Sequence, residues 1–391
     1  MITRLTRHRV VAVLFLLAAL VCASVRVVLA QTETILHNFA GGVDGSYPYA
    51  GLVRDASGSL YGTTAYGGAA DCGVVFKVTA SGQEAILYSF SGRDGASPWA
   101  PLLLDAQGNL FGTTAFGGAF GYGTVFELTA AGGYKLLHSF NPKKGASPYG
   151  GLSQDANGNL YGTTAYGGTF RYGTVFKLAP SGKHQVLYNF TGGKDGASPY
   201  AGVVLDGKGS LFGTTTFGGA FALGTVFRIS AAGKEKVLHS FRGSPDGASP
   251  YAGLLRDIHG SLYGTTLYGG MLVNGVLGGT LFEISSTGRE KIVYDFCSYI
   301  YCPDGAYPYG GLVQDNSGNL YGATVSGGES PGGVAYEVTP SGTETVLYDV
   351  VDAPYGTLAR DSAGNLYGTT LEGGSGTGCE GGCGTVFEVS P

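Results

Sequence analysis

Seven copies of one short motif constrain the fold of this chain more than any other feature. The motif is an aromatic residue followed by Gly-Thr-Thr, with Gly-Ala-Thr in the sixth copy, and it begins at Tyr61, Phe111, Tyr161, Phe212, Tyr263, Tyr321 and Tyr367. The spacings between copies are 50, 50, 51, 51, 58 and 46 residues. A period near fifty residues without helical periodicity indicates propeller blades or a solenoid.

Each repeat contains four short segments rich in β-forming residues. In the first complete unit they are residues 49–54, 60–65, 74–78 and 85–90. An Asp-x-x-Gly turn joins the first two segments and a short glycine turn joins the last two, and both connections are typical of hairpins. The 71 glycines recur at fixed offsets within these segments. The repeat therefore predicts a four-stranded antiparallel blade.

The two ends of the chain complement each other. The last repeat stops after a third strand, whereas residues 33–39 resemble a fourth strand without its blade. Pairing these ends removes the two unpaired edges that a solenoid would have to cap. We therefore predict an all-β, seven-bladed β-propeller of residues 31–391, in which strand 33–39 completes the blade formed by about 353–390.

Residues 1–30 have the pattern of a cleaved signal peptide. Three arginines precede an apolar run of residues 10–25, which is shorter than the roughly 20 residues of a membrane-spanning helix, and Ala30 suits cleavage. The final residues continue the repeat without a hydrophobic tail. We therefore expect a secreted, periplasmic or cell-surface protein with no membrane span after cleavage and no C-terminal anchor.

Charge disfavours nucleic acid as a partner. The signal segment holds four of the 23 basic residues and none of the 28 acidic ones, so the mature chain has 19 basic residues against 28 acidic ones. Lysine and arginine are scattered one or two per repeat, whereas phosphate binding requires a basic stripe. We expect a monomer without a cofactor.

The repeat resembles a known family. Its signature is Asp-Gly-x-x-Pro-Tyr-x-Gly-Leu, then Asp-x-x-Gly-Asn-Leu-Tyr-Gly-Thr-Thr, then Gly-Gly and Gly-Thr-Val-Phe. This pattern is similar to the Gloeo/Verruco (GloVer) tandem repeat of exported bacterial proteins, and its core is similar to the NHL-like and SBBP propeller repeats. The resemblance implies an exported propeller. It implies no activity and no catalytic residues.

Connections between blades and between second and third strands share one face of a propeller, and this face is the candidate binding surface. Three insertions, at 271–277, 297–302 and 375–383, fall on it, so we expect specificity near blades five to seven. Aromatic residues and carboxylates that vary between repeats are the better ligand candidates. They are Phe120, Tyr122, Phe170, Tyr172, Tyr268, Asp304, Glu329 and Glu372.

Two features recur beside the proline of the repeat. For the aspartates four residues before it, we favour a turn role over a ring of ligand-binding carboxylates. They are Asp44, Asp94, Asp195, Asp246 and Asp304. For the aromatic residue after the proline, present in all seven units, we favour a packed ring over a platform for sugars. These residues are Tyr49, Trp99, Tyr149, Tyr200, Tyr251, Tyr309 and Tyr355.

The histidines do not suggest a catalytic or metal site. His37, His138 and His239 share a fourth-strand position with tyrosines of other repeats, which indicates packing, and His184 and His259 are expected in tight turns on the opposite face. No hydrolase, zinc-protease or dinucleotide-binding motif is present. We therefore predict neither a metal site nor catalytic residues.

Five cysteines follow the signal segment, and an oxidising compartment permits disulfides. Cys297 and Cys302 bracket one insertion and are expected to pair. Two arrangements of the other three cysteines remain open: Cys72 bonds Cys383 or Cys379 across the ring closure, or Cys379 bonds Cys383 and leaves Cys72 free.

Three functions follow from these patterns. The first hypothesis is a non-enzymatic binding or adhesion scaffold for a glycan or an envelope protein. The alternative is a polysaccharide hydrolase or lyase using Asp304, Glu329 or Glu372. A purely structural spacer would have a featureless rim, which the three insertions argue against.

Overall fold

A computed structural model describes residues 31–273, 275–330 and 332–391. Seven four-stranded antiparallel sheets form a β-propeller, which confirms the predicted fold. The proposed signal segment, 1–30, lies outside the described residues. Within them, the one helical element is a short 3-10 turn at Gly42–Asp44, and no helix is long and apolar enough to span a membrane.

Strands are lettered A to D from the axis outward, and blades are numbered by the order of their A strands. The A strands are Val53–Arg54, Leu103–Leu104, Ser153–Gln154, Val204–Leu205, Leu255–Arg256, Val313–Gln314 and Ala359–Arg360. The B strands are Leu60–Thr64, Leu110–Thr114, Leu160–Thr164, Leu211–Thr215, Leu262–Thr266, Leu320–Ala323 and Leu366–Thr370. The C strands are Val74–Val78, Thr124–Leu128, Thr174–Leu178, Thr225–Ile229, Thr280–Ile284, Val334–Val338 and Thr385–Ser390.

The D strands are Glu84–Ser89, Tyr134–Ser139, His184–Asn189, Glu235–Ser240, Glu290–Asp295, Glu344–Asp349 and, for blade 7, Thr32–Asn38. Two small ribbons decorate blade 5: Gly247–Ala248 pairs with Tyr268–Gly269, and Leu272–Val273 pairs with Val276–Leu277. The A strands are shorter than the sequence predicts. Tyr49, Ala50 and Gly51, expected to begin the first of them, line the central channel without sheet pairing.

The chain ends close the ring as predicted. Strand D of blade 7 pairs antiparallel with Thr385–Ser390, and Glu33 lies opposite Val389 while Asn38 lies opposite Thr385. A bulge between Ile35 and His37 interrupts the register, and the other blades carry a similar irregularity between strands C and D. The closing blade thus has the hydrogen-bonded architecture of the other six.

Phenylalanines of the repeat pack neighbouring blades together. Phe39, which follows strand D of blade 7, meets Phe76 of blade 1 edge to face with ring centroids 5.0 Å apart, and both rings are fully buried. Phe90 and Phe126 repeat the contact one blade further on, at 5.2 Å. A Cβ on Gly62 would lie 2.5 Å from the Phe76 ring. The glycine of the Gly-Thr-Thr motif is therefore a packing requirement.

The first threonine of the motif joins adjacent blades near the axis. The hydroxyl of Thr63 donates to the carbonyl of Pro98 at 2.9 Å, and that of Thr163 donates to Ala201 at 2.7 Å. Across the closure, Thr369 donates to the carbonyl of Ala50 at 3.0 Å. Each of these buried hydroxyls finds its hydrogen-bond acceptor in the neighbouring blade, so each bond helps to hold the ring of blades together.

Side chains of neighbouring D strands contact each other around the outer circumference, and we call these contacts the outer seams. Tyr88 of blade 1 stacks on Tyr134 of blade 2 at 4.1 Å, and His138 stacks on His184 at 4.2 Å in the next seam. The prediction that His184 lies in a tight turn is therefore wrong. It begins strand D of blade 3, because the turn ends one residue earlier and the ring packs on its neighbour.

The outer seams contain titratable groups with opposite pKa shifts. Burial, then the nearby Asp195, raises the pKa of Glu235 to about 7, and burial with Asp304 does the same to Glu344. Burial lowers the pKa of His138 and of His184 to about 4. Carboxyl seams and the histidine seam therefore respond to pH in opposite directions.

Replacing Glu235 and Glu344 by glutamine should stabilise the protein at alkaline pH. Between pH 4.5 and about 7 the folded state binds more protons at these carboxyls than the unfolded chain, so their contribution to stability falls as pH rises. Because both are partly exposed, we expect a gain of only about 1 kcal/mol per substitution at pH 8 and none at pH 4. Thermal melting at both values checks this, with exposed Glu380→Gln as the control; an equal gain at pH 4 would contradict it.

The double substitution His138→Tyr and His184→Tyr copies the Tyr88–Tyr134 seam and should remove an acid sensitivity. The unfolded histidines bind protons below about pH 6.5, whereas the folded ones resist protonation down to about 4, so this seam loses stability as pH falls through that window. Melting temperatures between pH 7.5 and 4.5 should diverge in favour of the variant towards acid. A constant difference at every pH would argue against the mechanism.

Candidate binding face

The loops between strands D and A and the loops between strands B and C lie together on one face, which we name the loop face. Bridges join the two kinds of loop in blades 1 to 6, such as Ser46 with Tyr66 and Ala96 with Phe116. Serines that precede the prolines, with positive φ near 52°, stitch neighbouring blades: the amide of Ser147 donates to the carbonyl of Tyr122 at 2.9 Å. The loop face is therefore a continuous hydrogen-bonded rim.

The seven aromatic residues that follow the proline form a closed ring at the mouth of the channel, which we call the central ring. Neighbouring ring centroids lie between 4.7 Å, for Tyr49 and Trp99, and 5.8 Å, for Trp99 and Tyr149. Tyr355 completes the circle at 4.8 Å from Tyr49. Together with glycine-rich backbone of the innermost segments, the ring lines a cavity of about 270 Å³.

The central ring is neutral at physiological pH. Burial, chiefly, raises the pKa of Tyr49 to about 12 and raises the pKa of Tyr200 and Tyr309 further. The indole Nε1 of Trp99 is buried without a hydrogen-bond partner among the described residues. The ring thus offers half-buried aromatic surface and uncharged phenol O–H groups, a combination that contacts a molecule with one apolar and one polar side.

A second tier of aromatic residues surrounds the central ring. Each is between 42% and 48% exposed: Tyr66, Phe116, Tyr166, Phe217 and Tyr268. The hydroxyl groups of Tyr166 and Tyr200 contact each other, and Phe116 meets Tyr149 edge to face at 6.4 Å. The corresponding positions of blades 6 and 7 are Ser326 and Glu372. Glu372 lies close enough to Tyr355 to raise the pKa of that phenol, after burial.

The B–C loops of three adjacent blades end in exposed phenylalanines. Phe120 and Phe170 are 60% and 51% exposed, and Phe221 is 55% exposed. The sequence prediction missed Phe221, although the pattern Gly-Gly-x-Phe common to these three repeats contains it. Tyr172, 47% exposed, lies against Gly192 of the next blade, where a Cβ would come within 2.6 Å of its ring. These side chains stand on rigid loops.

The aspartates before the prolines anchor loops. The carboxylate of Asp94 accepts hydrogen bonds from the Tyr88 hydroxyl and from the amide of Ser91. Asp304 accepts from the Tyr294 hydroxyl at 2.9 Å and the Ser298 amide at 3.0 Å, and only 4% of its surface is exposed. This placement favours the turn role and removes Asp304 from the accessible surface.

His239, Asp246 and Glu290 place ligand-type atoms within 4.8 Å of one another in an outer seam. Asp246 already accepts hydrogen bonds from His239 and from the amides of Arg242 and Gly247, and the Arg242 side chain lies 3.4 Å from it. A guanidinium thus supplies the positive charge that a metal would bring. In blade 1 the equivalent contact joins Tyr88 to Asp94, with the tyrosine hydroxyl as the donor. His239 is therefore a polar partner of Asp246 as well as a packing residue.

Two insertions build a second cavity of about 460 Å³ on the loop face. Its walls include the blade 5 hairpin, the loop closed by the Cys297–Cys302 disulfide, and Glu329 of blade 6. Tyr299 and Tyr301, absent from the sequence-based site, contribute aromatic surface. Glu329 lines this cavity, whereas Glu372 belongs to the B–C loop of blade 7 and is not among its lining residues.

The second disulfide joins Cys379 to Cys383, so the crosslink from Cys72 across the ring closure does not form. Cys72 is the free cysteine of the described residues and lies beside Gly92, with its thiol donating to the carbonyl of Ala70 at 3.3 Å. Closure of the ring thus depends on strand pairing and packing.

The seven repeated four-stranded blades define a tandem-repeat β-propeller. The family model described as the Gloeobacter/Verrucomicrobia repeat matches residues 24–204 and 109–313. The chain therefore belongs to the Gloeobacter/Verrucomicrobia repeat family, as its signature predicted. No curated protein matches the sequence.

Solved structures share the architecture at low identity. The extracellular domain of a hybrid two-component system of B. thetaiotaomicron matches with a TM-score of 0.60 and 11% identity over 91% of this chain and 39% of its own. A second such domain gives 0.59 and 12%, over 92% and 42%. A protein described as a 6-phosphogluconolactonase of Bacteroides uniformis gives 0.52 and 17%, over 79% and 88%. This chain spans about two-fifths of the first two, and these likenesses show the fold alone.

The disulfide arrangement predicts one reactive thiol in residues 31–391. Burial, followed by the nearby Asp71, raises the pKa of the Cys72 thiol, so alkylation should be slow at neutral pH and faster at pH 9. Maleimide labelling of the oxidised protein, followed by peptide mass spectrometry, should modify Cys72 alone, and Cys72→Ser should abolish it. Label on Cys379 or Cys383 would support the rejected crosslink.

Proposed function

We propose that this chain is an exported, non-enzymatic propeller that binds glycans at its loop face. The observation that carries the proposal is the closed central ring of seven aromatic side chains, flanked by a half-exposed second tier. Aromatic faces pack against the C–H faces of sugar rings, while the neutral phenol groups hydrogen-bond to hydroxyls. The signal pattern of residues 1–30 and the family resemblance support export.

The cavity size restricts how a glycan binds. The space inside the central ring is about 270 Å³, below the roughly 300 to 1,000 Å³ of typical ligand pockets. It therefore admits the end of a chain rather than a long segment. The second tier and the phenylalanine tips extend the aromatic surface outward, so further sugar units rest on the rim.

Catalysis has less support than binding. Glycosidases need two carboxyl groups about 5 to 9.5 Å apart across the scissile bond. The glutamates whose pKa is raised to about 7, Glu235 and Glu344, belong to the outer seams. Glu329 and Glu372, the exposed glutamates singled out for the hydrolase or lyase alternative, belong to the B–C loops of different blades.

A glycan array tests the proposal with residues 31–391, while the same oligosaccharides are monitored for cleavage. Phe116→Ala and Tyr166→Ala should each weaken binding about three- to tenfold, because each removes half-exposed aromatic surface beside the central ring. Ile258→Ala is the matched control, since this side chain is 95% exposed in a turn on the opposite face.

Binding without cleavage, weakened by the two rim substitutions and not by the control, supports the proposal. Cleavage of any oligosaccharide contradicts the non-enzymatic part and favours the hydrolase or lyase alternative. If neither binding nor cleavage is detected, the glycan proposal is contradicted and an envelope protein is favoured as the partner.

A further inference from the structure

The loop face separates its charges into two arcs. Exposed basic residues occupy one side only, in the B–C loop of blade 3 and in the connections into blades 2 to 5. They are Arg93, Lys143, Lys144, Arg171, Lys194 and Arg242. The same loops contain three acidic residues: Asp94, Asp195 and Asp246. We call this side the basic arc, with six positive charges against three negative ones.

The remaining loops form an acidic arc. The B–C loops and connections of blades 6, 7 and 1 contain seven acidic residues and no lysine or arginine. They are Asp44, Asp71, Asp304, Glu329, Asp352, Glu372 and Glu380. A chain with 28 acidic residues and 23 basic ones has thus placed a positive patch on one side of a single face. Such segregation gives one side of the face a positive electrostatic potential, although the net charge of the chain is negative.

Hydrogen bonds of the acids strengthen the contrast. The Asp195 carboxylate accepts from the Tyr188 hydroxyl and from the amide and hydroxyl of Thr191, and Asp246 accepts from His239 and backbone amides. Both carboxylates therefore face the base of the loops. Within the part of the chain that the structure describes, Lys194, Lys143 and Arg171 make no ion pair, so their charges remain available to a ligand.

Aromatic side chains lie between the basic residues. Phe170 and Tyr172 flank Arg171, and the Tyr172 ring rests on Gly192, two residues before Lys194. One blade earlier, the carbonyl of Tyr122 accepts from Ser147 in the connection that carries Lys143 and Lys144. Each exposed aromatic tip is thus next to a basic connection of the following blade.

We propose that the basic arc binds an acidic polysaccharide whose sugar units carry carboxylates. This inference rests on the proposed glycan function and assigns the class of ligand. Aromatic platforms accept the apolar faces of the sugar rings, while lysine and arginine pair with the carboxylates. Repetition of the aromatic and basic pair in successive blades matches a polymer with a repeated charge.

The acidic arc excludes broader polyanions. A flat anionic membrane covers the whole face and meets the seven acids of the opposite side, which repel it. A stiff nucleic-acid duplex cannot follow the curved basic arc and crosses towards the same acids. A single flexible polysaccharide follows the basic arc alone. The segregation of charge therefore favours a narrow chain.

The test uses residues 31–391 with polygalacturonate and its fully methyl-esterified form, which have the same backbone and differ in charge. Calorimetry at low and high salt should give binding to the acid form that weakens with salt. The triple variant Lys143→Gln, Arg171→Gln and Lys194→Gln should bind about tenfold more weakly, because each exposed ion pair contributes modestly. Its matched control removes three exposed lysines of the opposite face, Lys183, Lys208 and Lys234.

Preference for the acid form that the triple variant loses and the control retains supports the inference. Equal binding of both polymers, with rim substitutions still effective, overturns the charge inference and leaves the glycan proposal intact. Binding of the acid form that the rim substitutions Phe116→Ala and Tyr166→Ala leave unchanged supports the basic arc and contradicts the role of the second tier. Stronger charge-dependent binding to duplex DNA or to phosphatidylglycerol vesicles than to polygalacturonate overturns the inference.

Discussion

The pairing of the first strand with the last determines whether this molecule has edges. Thr32–Asn38 and Thr385–Ser390 lie more than 340 residues apart in the chain, yet they form one antiparallel ladder. Without that ladder, blade 7 would expose strand C and blade 1 would lose its packing partner Phe39. Among the described residues no disulfide crosses the closure, because Cys379 pairs with Cys383 and Cys72 is free. The entropy cost of closing so long a loop is offset by the packing that closure allows on both sides.

Ring closure explains why the repeat is nearly invariant where it is. The motif glycine fits beneath a phenylalanine ring, the first threonine bonds the neighbouring blade, and the phenylalanines interlock across seams. A change in one blade alters the contacts of the next, so the blades resist independent variation. Positions free to vary lie at the loop tips and in the outer seams. Three of the outer seams differ in chemistry at the same place. One stacks Tyr88 on Tyr134, one stacks His138 on His184, and one places Tyr294 near Glu344.

The fold could be predicted from the sequence because the repeat encodes it seven times and the incomplete ends encode the closure. The central ring was also visible, since an aromatic residue follows each proline. Other parts depend on contacts between blades. The sequence predicted an exposed Asp304, but one of its carboxylate oxygens accepts hydrogen bonds from Tyr294 and Ser298. The sequence also predicted a turn at His184, because strand D begins one position earlier than the spacing suggests. Phe221 could have been predicted, because its repeat has the same Gly-Gly-x-Phe pattern as the repeats of Phe120 and Phe170.

Charge segregation is the clearest case of information that a linear reading loses. One or two basic residues per repeat seem scattered along the chain, but the position of each within its repeat decides which face it occupies. Lys183, Lys208 and Lys234 belong to tight turns on one face, whereas Lys194 and Arg242 belong to connections on the other. Because a propeller projects the same offset of every repeat onto the same face, an arc of charge arises from residues about fifty positions apart. Function in such a protein is therefore recorded in how individual blades depart from the shared pattern, around a scaffold that the pattern keeps rigid.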